Sequence, residues 1–153
     1  MHTLFKITQK KAFTLLELLV VIGIIGILIS LGIASYSTAQ RKARDAKRKS
    51  DLQSIQHAFE QYYSICGYQY PSALPAAGSA LIATTANCPS ISANVTLMTI
   101  PADPLGSSYQ CIGAGGCSAT GFTICPPTLT GSKYLETENC TPANPTCCVS
   151  NQQ

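Results

Sequence analysis

The hydrophobic and polar positions of this chain change their pattern twice. From Leu18 to Gln40 there is no Asp, Glu, Lys or Arg, a run of 23 residues dominated by Leu, Ile, Val and Gly. A helix rises about 1.5 Å per residue, so such a run covers the roughly 30 Å hydrocarbon core of a bilayer. Further on, Leu52, Ile55, Phe59, Tyr62 and Cys66 recur at steps of three and four, with Gln53, Ser54, Gln56, Gln61 and Ser64 between them. That is the period of a helix with one apolar face. No Pro lies between Met1 and Tyr70, so the two patterns predict one helix running from near Thr14 to Ile65. Gly67 is placed to end it and Pro71 to prevent its resumption.

Beyond Tyr68 the chain turns to Gly, Pro, Ser, Thr and Ala. Ser72 to Pro89 reads as a loop-rich connector. Four β-favouring runs follow, at Val95–Ile100, Tyr109–Ile112, Gly121–Cys125 and Lys133–Glu136, separated by Gly and Pro. They predict a small antiparallel sheet of three or four strands. The fold class is therefore α+β: a long amino-terminal helix, half transmembrane and half amphipathic, whose second half packs on a small β head.

Cysteine usage adds staples to that picture. All eight cysteines, Cys66, Cys88, Cys111, Cys117, Cys125, Cys140, Cys147 and Cys148, lie beyond the apolar run. An even number in a small exported head reads as disulfides formed in an oxidising compartment, and a head of this size is one that needs them. Eight cysteines allow 105 pairings; the expectation is a bridge tying the tail around Cys140 to the sheet, with adjacent Cys147 and Cys148 bonding to different partners. Zinc is disfavoured, because no two cysteines stand at C-x-x-C spacing and the histidines are only His2 and His57. His57 reads as an ordinary surface histidine.

Charge bears on orientation. Met1–Ala12 carries Lys6, Lys10 and Lys11 and no acid, as a cytoplasmic flank does. The opposite flank is basic too, with Arg41, Lys42, Arg44, Lys47, Arg48 and Lys49 against Asp45 and Asp51. The amino-terminal leader and the cysteines both place the carboxyl side outside. The basic stretch lacks interleaved aromatics, which argues against nucleic acid; it reads as a solvated helix segment near lipid headgroups or as an inter-subunit contact. From Gln53 onward Lys133 stands against Glu60, Asp103, Glu136 and Glu138, so stacking of a basic segment on the acidic head of another copy is an expectation.

The one acid at the edge of the apolar run is Glu17. A carboxylate in hydrocarbon costs at least about 2.5 kcal/mol, so it should be paired, and it marks a functional site. The run Lys10, Lys11, Ala12, Phe13, Thr14, Leu15, Leu16, Glu17, Leu18, Leu19, Val20, Val21, Ile22 resembles the leader junction of type IV pilins and type II secretion pseudopilins. The segment Ile100, Pro101, Ala102, Asp103, Pro104, Leu105, Gly106, followed by Tyr109, is similar to the proline-rich turn after the helix-sheet connection in that family. The resemblance implies cleavage by a prepilin peptidase between Ala12 and Phe13, N-methylation of Phe13, and pairing of Glu17 with the Phe13 ammonium of a neighbour in a homo-oligomeric helical filament. Ala12 departs from the usual Gly before the cut but keeps a small side chain. It further implies a leader over 1–12, a transmembrane and polymerisation helix over 13–40, its amphipathic continuation over 41–66 and a disulfide-stapled head over 67–153.

The function so implied is structural: a subunit of a type IV pilus or pilus-like filament, in the cytoplasmic membrane with its amino terminus inside and then in a surface or periplasmic filament. The cysteines and the long polar tail favour a surface pilin. The alternatives are a type II secretion pseudopilin and a single-pass anchored Cys-rich binding module. Partners are the peptidase, the assembly machinery and the membrane. No enzyme motif is present and no cofactor or metal is expected, with Glu136 and Glu138 read as a carboxylate pair without any basic or histidine companion. Major pseudopilins hold calcium in later sheet loops, but here Asp103, Glu136, Glu138 and Asn139 are few oxygens for an ion that takes 6 to 8; they read as solvated acids. Asn94-Val95-Thr96 and Asn139-Cys140-Thr141 match the glycosylation sequon.

Overall fold

The computed structural model describes residues 13–112, 116–129, 133–142, 144 and 146–151; the leader expected over 1–12, with Ala12, lies outside them. Helix α1 spans Leu15–Ile65, 51 residues. The chain forms two compact units, Met1–Ala39 and Gln40–Gln153.

The described part of the first unit is the apolar portion of α1. Its large side chains are exposed along its length, Leu15 at 88%, Ile24 at 54% and Ile33 at 67%. No other part of the described chain comes within 4 Å of where a Cβ would sit on Gly23, Gly26 or Gly32. At about 25 cal/mol per Å² of apolar surface, water is a poor solvent for such a segment, and lipid or other protein must cover it.

In the second unit the predicted apolar face is the core: Leu52, Ile55, Phe59, Tyr62 and Cys66 are all at most 5% exposed. They meet Leu81, Ile100, Tyr109, Phe122 and Ile124 in one cluster. Phe59 and Phe122 make an edge contact with centroids 4.9 Å apart, and Tyr70 meets Phe122 at 5.0 Å. The helix ends by a left-handed turn, with φ of 68° at Gly67 and 61° at Tyr68. The Tyr68 amide donates to the Tyr63 carbonyl at 3.1 Å, and the two rings touch edge to face. This is the reversed hydrogen bond and apolar contact of a Schellman stop, for which Gly67 supplies the unstrained positive φ.

The strands form two sheets where the sequence predicts one. β1 (Ala80–Ala83) pairs antiparallel with β2 (Val95–Thr99), matching Ala80 to Thr99 and Ala83 to Val95, with a register shift between Leu81 and Ile82. β3 (Gln110–Cys111), β4 (Thr123–Cys125) and β5 (Val149–Ser150) form a second antiparallel sheet in that order. β1 lies inside the stretch predicted as connector, where Ala and Ser hide its alternation. The expected strand at Lys133–Glu136 is instead a loop, with a single bridge from Lys133 to Leu129. Tyr134 and Leu135 are buried there in a separate cluster with Cys125 and Cys140. The apolar residues of that run thus report a core contact rather than ladder pairing.

Candidate functional site

The amino terminus of α1 is closed by a capping box. The Thr14 hydroxyl accepts the Glu17 amide at 3.2 Å, while the Glu17 carboxylate accepts both the Thr14 amide and the Thr14 hydroxyl at 3.3 Å. Thr at the cap and Glu three residues on satisfy each other's unpaired groups, and the negative charge suits the positive end of the helix dipole. Phe13, immediately before the cap, is 85% exposed. The geometry places an acid one turn from residue 13, where it can accept hydrogen bonds from amino-terminal N–H groups.

A second constellation lies on the helix between Arg44 and Asp51. Arg48 is wholly buried and donates Nε to Asp103 Oδ1 at 2.6 Å, Nη2 to Asp103 Oδ2 at 3.1 Å, and Nη1 to Asp45 at 2.9 Å and Glu136 at 3.3 Å. Asp103 is brought to it by the proline turn. The Gly106 amide donates to the Asp103 carbonyl at 2.7 Å, and the Leu105 amide donates to the Asp103 carboxylate at 2.9 Å. An Asp that begins a turn and bonds the backbone two residues on is a recognised turn device. Asp45 in turn accepts the Glu136 and Thr137 amides at 3.0 and 2.8 Å and the Thr137 hydroxyl at 2.6 Å. Arg44 grips Glu136 with two bonds of 2.5 Å, and Lys49 pairs with Glu138. Asp51 accepts from Lys47 at 2.6 Å and from the buried Tyr109 hydroxyl at 3.0 Å. One face of the helix thereby holds the 103–106 turn and the 136–138 loop by charge.

These contacts shift the titrations. Burial works against ionised Asp45, but the Thr137 hydroxyl, the two backbone amides and Arg48 outweigh it and hold the carboxyl below its ordinary value. The Arg44 bond is the main cause that lowers Glu136. Burial likewise opposes the Arg48 charge, yet the bonds to Asp103, Asp45 and Glu136 leave it raised. Burial, then the bond to Asp51, pushes the Tyr109 hydroxyl up. The Tyr70 hydroxyl, buried and bonded to Glu60 at 3.0 Å, is pushed up to about 12.

Several expectations change here. Asp103 and Glu136 are not free solvated acids: Asp103 is 3% exposed, and their basic companions come from the helix, some 55 to 92 residues away in sequence, whereas Glu138 is exposed and pairs with exposed Lys49. Most of the basic stretch is likewise not free for another copy, since Arg44, Lys47, Arg48 and Lys49 are paired within the chain, which leaves Arg41 and Lys42 exposed. Sequence reasoning missed Arg48 as a core residue although the signal was present. Continuing the stripe Leu52–Cys66 toward the amino end in steps of four and three lands on Arg48 and Asp45. Among the described residues no group of three or more His, Cys, Asp or Glu is placed to hold a metal ion. His57 is exposed.

The cysteines form four disulfides: Cys66–Cys88, Cys111–Cys117, Cys125–Cys148 and Cys140–Cys147. Cys147 and Cys148 do take different partners. The tail is tied to the sheet through Cys148 and β4, whereas Cys140 closes a local loop with Cys147, which corrects the expectation for Cys140. Cys66–Cys88 secures the segment after the helix to its last turn.

Residues 7–33 match the family described as the prokaryotic N-terminal methylation motif. The type II secretion system core protein G of Escherichia coli K12 is 32% identical over 111 residues, covering 70% of this chain and 74% of that protein. Those of Klebsiella pneumoniae and Aeromonas hydrophila are 30% and 31% identical, covering 70% of this chain and 77% and 76% of theirs. No solved structure matches. These relatives carry the name of type II secretion proteins, which favours the pseudopilin alternative over the surface pilin that the cysteines and polar tail favoured. An exposed apolar helix opening on Phe13 and Glu17, a disulfide-stapled α+β fold and this identity over most of both chains agree: the chain belongs to the type II secretion pseudopilins of the core protein G family.

Proposed function

We propose that this chain is a filament-forming subunit of a type II secretion system. It enters the cytoplasmic membrane with its amino terminus inside, is cut between Ala12 and Phe13 by a prepilin peptidase, is N-methylated on Phe13, and polymerises through the helix over residues 13–40. The observation that supports this most is the capped helix start, with the Glu17 carboxylate bonded to Thr14, the residue after Phe13, at the mouth of an exposed apolar segment. Once cleavage frees the Phe13 amine, the carboxylate of one copy and the ammonium of the next are both costly alone in low dielectric, and their pairing selects the stagger of the subunits. The role of the chain is mechanical and catalyses no reaction.

Mass spectrometry of the mature amino terminus tests the processing, with N-methylated Phe13 expected; an intact Met1 would leave a tethered head that never polymerises. Glu17→Leu should insert normally yet give few or no filaments when cells are sheared and the fibre fraction is blotted. Fibre yields equal to the parent would remove the carboxylate from the account.

A further inference from the structure

A cleft of about 490 Å³ opens in the unit that begins at Gln40, with Arg41, Arg44, Lys133 and Glu136 on its polar side. Leu105, Leu129 and Leu135 form the rest of its wall. Arg44 and Glu136 neutralise each other through their two-bond pair. Arg41 and Lys133 are exposed, and their side chains have no hydrogen-bond or ion-pair partner among the described residues. The cleft therefore offers two uncompensated cations over an apolar wall, and Leu105, 58% exposed at its turn, has no cover of its own. A free inorganic anion would use the cations and leave the leucines wet; an anion attached to hydrocarbon uses both.

The place of Arg41 in the chain narrows the ligand. It is the first charge after the uncharged run Leu18–Gln40, so in a chain that spans the bilayer by that run, connectivity keeps this cation within a helical turn of the headgroups. Basic groups just outside a membrane span attract anionic lipid. We infer that the cleft binds the phosphodiester of an anionic phospholipid, with Arg41 and Lys133 on the phosphate and Leu105 against the adjoining carbon chain, before the subunit leaves the membrane. The inference rests on the membrane-spanning reading proposed above.

The test uses the full chain in neutral detergent, mixed with equal amounts of phosphatidylglycerol and phosphatidylcholine and examined by native mass spectrometry. Phosphatidylglycerol should be retained in preference, and Arg41→Gln with Lys133→Gln should cut its retention about thirtyfold through the loss of two surface cations. Matched against Arg41→Gln alone, the control Lys42→Gln, an exposed cation outside the cleft, should retain it. Equal retention of the two lipids, or an equal loss in the control, overturns the site. Displacement by inorganic phosphate at matched phosphorus would make it a free-phosphate site and overturn the lipid assignment. Alkaline carbonate extraction of membranes separates the premises. A chain that carbonate removes defeats the spanning reading, whereas a resistant chain without lipid preference defeats this inference alone.

Discussion

Replacing Arg48 by Ala removes one side chain and leaves Asp45 and Asp103 buried without their shared cation. Breaking a buried ion pair on one side costs about 3–5 kcal/mol, because the remaining charge keeps its desolvation penalty. Urea unfolding of the detergent-solubilised chain should show a loss of that order for Arg48→Ala, and much less for Lys42→Ala at an exposed position. The same residues set a pH dependence. Asp45 and Glu136 are held below their ordinary values in the fold. Groups of this kind stabilise fully above their unfolded values, near pH 4, and the contribution disappears as pH falls through the folded values. The urea midpoint should therefore be flat from pH 7 to about 5 and fall steeply below about 4. Asp45→Asn should start lower and show a shallower acid slope. An unchanged slope would move the linkage to other carboxylates.

Among the elements, the helix was legible because its cause is local: an apolar run, a 3–4 repeat and a Gly stop are all written in consecutive residues. The strands were legible where β-favouring runs stand between Gly and Pro, as at Val95–Thr99, Gln110–Cys111 and Thr123–Cys125. β5 is two residues of a polar tail, and what places it is Cys148 bound to Cys125 on β4, a pairing that spacing does not reveal. The charged cluster was half legible, since its residues stand out but their partners come from the far end of the chain. The disulfides should also differ in weight by loop length. Cys66–Cys88 has a sequence separation of 22 and Cys111–Cys117 one of 6. On the chain-entropy account the longer closure stabilises by about 1 kcal/mol more. Cys66→Ala with Cys88→Ala should accordingly lower the urea-derived stability further than Cys111→Ala with Cys117→Ala; the reverse order would point to native-state packing as the dominant effect.

For the whole molecule, the division of charge that looked like a contact between copies is largely spent inside one copy. Arg44, Arg48 and Lys49 already face Asp103, Glu136 and Glu138, which leaves the apolar segment as the main surface still lacking cover. Association driven by that segment is governed by what surrounds it, lipid or its own kind, and depends weakly on salt.

The nesting of the last two bridges carries a consequence for how the molecule is made. Cys125–Cys148 encloses Cys140–Cys147. Under the export direction proposed above, an oxidase that joins thiols in their order of arrival would make Cys66–Cys88 and Cys111–Cys117 correctly. It would then link Cys125 to Cys140 and strand Cys147 beside Cys148. Thiol–disulfide exchange can repair that error, so biogenesis of the native tail calls for an isomerase besides the oxidase, or for closure delayed until the final thiol has crossed.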